Sequence, residues 1–131
     1  MLVLDTSALV KRYVEEEGFE TVLELMADDL EWGASALCLP ESEVTLCHRG
    51  FDDTTLRSLT AALRADWERF AVVPVDDRCL ARAAAIGCEQ RVRTLDAVHL
   101  AAADRLPRPV RFVTFDQRQA EAARVLGLDV L

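Results

Sequence analysis

Short apolar runs alternate with stretches of helical periodicity along the whole chain. Residues 2–4 (Leu-Val-Leu) form a short run of the kind a buried strand shows, followed by Asp5-Thr6-Ser7 and a predicted helix over residues 8–14. Glu15-Glu16-Glu17-Gly18 ends it. Phe19, Val22, Leu23 and Met26 share one face of a second helix, which Asp28-Asp29 breaks. Residues 33–37 read as a second strand. Pro40 suits the first turn of a helix that runs to about Arg49 and stops at Gly50. From Asp53 or Thr54, the positions Leu56, Leu59, Leu63, Trp67 and Phe70 mark a long amphipathic helix. Residues 71–75 read as a strand, with Pro74 near its end because proline cannot donate to a ladder. Asp76 or Asp77 caps an alanine-rich helix to about Gln90. Another helix covers residues 95–105 and is closed by Pro107 and Pro109. Residues 110–115 make a strand, 117–126 a helix ended by Gly127, and 128–131 a last strand.

Strands that alternate with helices in this way predict a three-layer α/β/α architecture. Its central sheet is mainly parallel with four to five strands, and helices cover both faces. The 131 residues suit one domain spanning 1–131, with no repeat, linker or low-complexity stretch. Half the residues are hydrophobic, enough for one real core without cross-links. Cys38, Cys47, Cys79 and Cys88 have no CxxC or zinc-type spacing, so they read as buried, reduced thiols in a cytoplasmic protein. The first residues run straight into a strand pattern, which predicts no signal peptide. No apolar run is long enough to span a membrane. The net charge of −8 argues against a broad basic surface for nucleic acid. It leaves open a nuclease whose carboxylates are neutralised locally by metal ions. It also suits a partner rich in basic residues.

Open parallel sheets build their sites beyond the C-terminal ends of the strands. Asp5 falls there after the first strand, Glu41 and Glu43 after the second, and Asp116 after the fourth. Asp96 lies in the first turn of a helix. Four separated segments each offer a carboxylate where such a sheet would gather them. Crowded carboxylates repel, and a divalent cation removes the penalty. Magnesium and manganese favour hard oxygen ligands, and two such ions about 4 Å apart can hold both sides of a phosphodiester. Each acid also has a structural reading. Asp5, Asp96 and Asp116 all stand near helix starts, where a carboxylate caps or meets the dipole, and Glu41 and Glu43 suit a solvated helix surface.

Residues 2–9 (LVLDTSAL) resemble the opening of PIN domains, above all the VapC-type toxins of bacterial toxin–antitoxin pairs. Residues 35–41 (SALCLPE) resemble the second motif of that family. Residues 93–103 (RTLDAVHLAAA) resemble the third, and Val113-Thr114-Phe115-Asp116 with Gln119 to Leu128 resembles the fourth. Order and spacing cover essentially the whole chain, and the third and fourth motifs are the most specific. The resemblance implies a Mg²⁺- or Mn²⁺-dependent endoribonuclease whose metal-holding, catalytic acids are Asp5, Glu41, Asp96 and Asp116. The distance from Ser35 favours Glu41. Glu43, followed by aliphatic Val44 as the family glutamate usually is, remains the rival. On one helix the two lie about 200° apart, so they cannot share a pocket.

The resemblance also implies an RNA substrate, a cognate VapB-like antitoxin with a basic or aromatic tail, and a homodimer. The helix running from Leu56 towards Phe70 offers a face for that dimer. Thr6 and Thr114 match hydroxyl positions beside the family acids, with turn chemistry as the alternative. His99, on the same helical face as Asp96, reads as a half-buried helix histidine. Trp32 and Trp67 are candidates for base stacking, although Trp67 sits in an apolar stripe. Arg12, Arg49, Arg78, Arg91 and Arg93 are candidates for phosphate contact. A phosphotransfer protein built on Asp5 is disfavoured. Ser7 stands where a second aspartate would, and the single lysine, Lys11, is in the first helix. The alternative outside catalysis is a silent PIN module that only binds RNA or an antitoxin. All four acidic positions are filled, which favours the enzyme.

Overall fold

The structure is a computed structural model that describes residues 1–131. Five short strands form one sheet: β1 (Leu2–Leu4), β2 (Trp32–Ser35), β3 (Ala71–Val73), β4 (Arg111–Val113) and β5 (Asp129–Val130). Their spatial order is β3-β2-β1-β4-β5, and every pair is parallel. Leu2 pairs with Trp32 on one side and Arg111 on the other, so β1 is central. Chain order reverses between β1 and β4, the switch point where such sheets open a crevice.

Seven helices connect the strands: α1 (Thr6–Lys11), α2 (Phe19–Asp28), α3 (Cys38–Cys47), α4 (Asp53–Trp67), α5 (Asp77–Gln90), α6 (Thr94–Asp104) and α7 (Gln117–Val125). Side chains alternate across a strand, so β1 feeds two cores. Leu2 and Leu4 pack with Leu9, Met26, Leu46 and Leu63 from α1 to α4. Val3 points the other way and packs with Ile86, Leu100, Phe112 and Ala123 on the side of α5, α6 and α7. Burial on both faces explains why β1 is a continuous apolar run. In α6 every residue from Ala97 to Ala103 is buried. Its small side chains fit a helix packed between the sheet and α5.

Several boundaries differ from the sequence reading. Helix α1 stops at Lys11 rather than residue 14. Helix α3 begins at Cys38, before Pro40, and proline fits there because first-turn N–H groups have no acceptor within the helix. The last four strands are shorter than their apolar runs, because flanking apolar residues pack without entering the ladder. Helix α4 ends at Trp67. Phe70 leaves it and stacks on Trp67 with ring centroids 5.1 Å apart. The apolar stripe of α4 rests on its own chain: Leu63 is fully buried, and Leu56, Leu59 and Trp67 pack against the α1–α4 core. The four thiols are free, but only Cys38 and Cys79 are buried. Cys47 and Cys88 are exposed, because each falls on the outer face of its helix.

Candidate metal and nuclease site

Asp5 leaves the end of β1 and caps α1. Its Oδ1 accepts from the Ala8 amide at 2.9 Å and the Ser7 hydroxyl at 2.7 Å. Thr114, one residue past β4, donates to Oδ2 at 2.6 Å. Asp5 is only 3% exposed. Burial pushes its carboxyl above the usual aspartate range, against the pull of those three hydrogen bonds.

Glu41 sits in the first turn of α3. Its Oε1 accepts from Thr6 Oγ1 at 2.8 Å and pairs with Nε2 of His99. Burial works against its charge, but the His99 and Thr6 bonds outweigh it and hold the carboxyl below the ordinary glutamate range. His99 is 4% exposed and is bonded through both ring nitrogens, with Nδ1 lying 3.0 Å from the Ser35 hydroxyl at the end of β2. An ionised Glu41 calls for a proton on Nε2, and when Nδ1 carries none it accepts from Ser35. Glu43 turns away and pairs with Arg64 of α4 at 2.7 Å.

Asp116 caps α7 by accepting from the Gln119 amide at 3.0 Å. Asp96 stands in the first turn of α6, where burial and the nearby charge of Asp116 raise its carboxyl above the ordinary range. Arg93 partly offsets this, with Nε 3.5 Å from Asp96 and Nη2 4.0 Å from Asp116. At 85% exposure that guanidinium is a loose counter-charge. Gln119 is buried behind the pair, donating from Nε2 to the Asp96 carbonyl at 3.3 Å.

Asp5, Glu41, Asp96 and Asp116 therefore line one open groove of about 400 Å³ at the switch point, together with Thr6, Ser7 and His99. The capping role read for Asp5 and Asp116 is real, and it coexists with their place in the groove. The acids stand around the groove rather than closing on a point, for no three potential ligands are close enough to grip an ion as they stand. The donor set nevertheless suits a hard divalent cation. All four are carboxylates, and two are held above their ordinary range by burial or by a like charge that a cation would relieve.

Ser35 and Gln119 were not legible as site residues, and His99 is more buried than its helical position suggested. Only the three-residue spacing of Gln119 from Asp116, one helical turn, hints at a role. Trp32 is not available for base stacking. It is 3% exposed, and its indole N–H is bonded to the Met26 carbonyl. Arg12 and Arg49 are engaged by Asp66 and Glu16, whereas Arg91 and Arg93 reach the groove rim.

The profile of the PIN domain family matches residues 2–125, and the chain belongs to that family. Among curated relatives it is similar to Ribonuclease VapC46 of Mycobacterium tuberculosis, 32% identical over 131 residues, covering 99% of this chain and 95% of that protein. Its fold is similar to FitAcB from Neisseria gonorrhoeae (TM-score 0.78, 17% identity, 100% of this chain and 96% of that one). It is similar also to a toxin–antitoxin complex from Klebsiella pneumoniae (TM-score 0.74, 16% identity, 100% and 96%). No helix is long and apolar enough to cross a membrane.

Proposed function

We propose that the protein is a metal-dependent endoribonuclease and the toxin of a VapBC-type pair, acting in the cytoplasm. One observation carries this reading: carboxylates from four separate segments line a single groove at the switch point of a parallel sheet. The ribonuclease name of a relative sharing a third of its residues over nearly the full chain supports the same activity.

Asp5, Glu41, Asp96 and Asp116 would hold the ion. Bound Mg²⁺ or Mn²⁺ supplies neutralising charge for the phosphodiester and a nucleophile usable at neutral pH. The chain does the rest. Thr6 and His99 engage Glu41 Oε1, which leaves Oε2 for the groove. Thr114 and Ser7 hold Asp5 so that its carboxylate cannot turn into the core. Arg93 stands beside Asp96 and Asp116, where a phosphate replaces their attraction once cations neutralise them. The partners are an RNA substrate, a VapB-like antitoxin and a second copy of the chain. A net charge of −8 complements an antitoxin segment carrying basic residues.

Titration of Mn²⁺ and Mg²⁺ into the purified protein, following cleavage of a mixed small-RNA pool, tests the reading. Cleavage should require metal, and Asp96→Asn should lose at least about 100-fold in rate, as removal of a transition-state electrostatic partner does. Metal-independent cleavage, or full activity in Asp96→Asn, would overturn it.

A further inference from the structure

Gln119 is a wholly buried amide in the first turn of α7, 1% exposed, on a helix whose other buried residues are Ala120, Ala122 and Ala123. Methionine would fill the same space without a polar group, whereas an amide buried with no partner costs about 1–3 kcal/mol. The partners of this amide are all parts of the acid groove. Its backbone N–H donates to Asp116 Oδ1 at 3.0 Å, and its Nε2 donates to the Asp96 carbonyl at 3.3 Å. Its Oε1 lies 3.2 Å from the Thr114 hydroxyl, which also reaches Asp5 Oδ2 at 2.6 Å and accepts from the Asp116 amide at 3.1 Å. Directly or through Thr114, one side chain therefore touches the three segments that carry Asp5, Asp96 and Asp116.

Asp96 and Asp116 are the pair that most needs such a tie. They stand on separate helices, one in the first turn of α6 and the other as the cap of α7. Both lie within reach of the single Arg93 guanidinium, at 3.5 Å and 4.0 Å, so the two like charges are neighbours. Neighbouring carboxylates repel, and on two helices that pack against each other the repulsion opens the gap unless something resists it. The bond from Gln119 to the Asp96 carbonyl is the side-chain hydrogen bond that links α7 to α6. It joins the first turn of one helix to the first turn of the other, beside the two acids. The width of that gap matters to an ion. Mg²⁺ demands a near-ideal octahedron of oxygens at about 2.0–2.1 Å, whereas Ca²⁺ accepts irregular shells at about 2.3–2.6 Å.

We infer that Gln119 is a positioning residue that fixes the separation of Asp96 and Asp116, and that it thereby makes the groove select Mg²⁺ over Ca²⁺. The inference rests on the metal-dependent reading and deepens it, by naming what holds two carboxylates at the spacing a small cation needs. Gln119 touches neither ion nor substrate. It acts through the backbone of Asp96 and through its own capped N–H. Without the tie the pair spreads, which costs the ion with the strict shell more than the ion with the tolerant one. A loss of general stability would weaken both alike.

The test has two arms, neither of which reads activity. In the first, calorimetry follows Mg²⁺ and Ca²⁺ binding to the wild type and to Gln119→Met, which keeps length and apolar packing but has no amide. Mg²⁺ affinity should fall about ten-fold or more, the usual scale for losing a partner behind a metal ligand, and Ca²⁺ affinity should fall less. Leu63→Val, in the other core, is the control. It should lower the melting temperature and leave the preference between the ions unchanged. In the second arm, NMR of the metal-free wild type follows the Gln119 side-chain amide protons, which should exchange slowly with solvent. This arm needs no variant, so it stands even if Gln119→Met fails to fold. Equal losses for the two ions, wild-type binding in Gln119→Met, or rapid exchange of the amide protons overturns the inference. A wild type that binds neither ion removes the metal-dependent reading and this inference together. A wild type that binds Mg²⁺ and cuts RNA, with a Gln119→Met variant that keeps its preference for Mg²⁺ over Ca²⁺, removes this inference alone.

Discussion

His99 joins the end of β2 to the first turn of α3 through one imidazole, bonded to Ser35 on one nitrogen and to Glu41 on the other. A residue so placed sets where the Glu41 carboxylate points. His99→Leu should therefore weaken Mn²⁺ binding about 10- to 100-fold by calorimetry, the usual effect of losing a ligand's hydrogen-bond partner. His99→Gln, which keeps a donor near the Nε2 position, should recover much of it. Equal affinities in the two variants would mean that the ring is only core packing. Asp96 makes a second prediction, with an unusual sign. Its carboxyl is raised in the folded chain, first by burial and then by Asp116. It therefore adds no instability below the ordinary aspartate range, where both states are protonated. It costs stability progressively as pH rises from that range through its folded value. In metal-free protein Asp96→Asn should melt with the wild type at acid pH and above it at neutral pH. A neutral-pH melting temperature below wild type would contradict the raised carboxyl. At this scale the acids were legible because each ends an apolar run or opens a helix. The partners of His99 were not, since Ser35 lies 64 positions away and no local period connects them.

Among the elements, α3 decides which glutamate serves the groove. Both Glu41 and Glu43 fitted a helix opening at Pro40. The helix opens at Cys38 instead, with Cys38, Ser42 and Leu46 buried on one face. Glu41 then sits at the edge of that face, within reach of Thr6 and His99, and Glu43 lies across the helix against Arg64. Sequence spacing narrowed the choice, and packing made it. Helix α6 shows the reverse case. The sequence predicts a helix over residues 95–105, but only the structure shows that its alanines are enclosed by α5 and the sheet. Ala102→Leu should therefore destabilise the fold by about 1–3 kcal/mol through overpacking, read as a lower denaturation midpoint with an unchanged m-value. An unaffected midpoint would mean that the α5–α6 packing has slack.

Over the whole molecule, alternation of strand and helix foretold the layered parallel sheet, and the strand tips foretold where the four carboxylates would gather. The strand order β3-β2-β1-β4-β5 was not legible, because neighbours in a sheet are chosen by two-sided packing rather than by local pattern. That order has a consequence in time. Strand β1 is the first made and stands at the centre, but its β4 neighbour begins at residue 111, and Asp116 follows it. A ribosome has synthesised most of the chain before the groove possesses its fourth carboxylate or Thr114 reaches back to Asp5. A half-made or prematurely ended chain therefore carries three blunt acids and no finished edge. The four-acid groove is therefore completed only after residue 116 has been made, and no shorter N-terminal fragment can gather all four carboxylates.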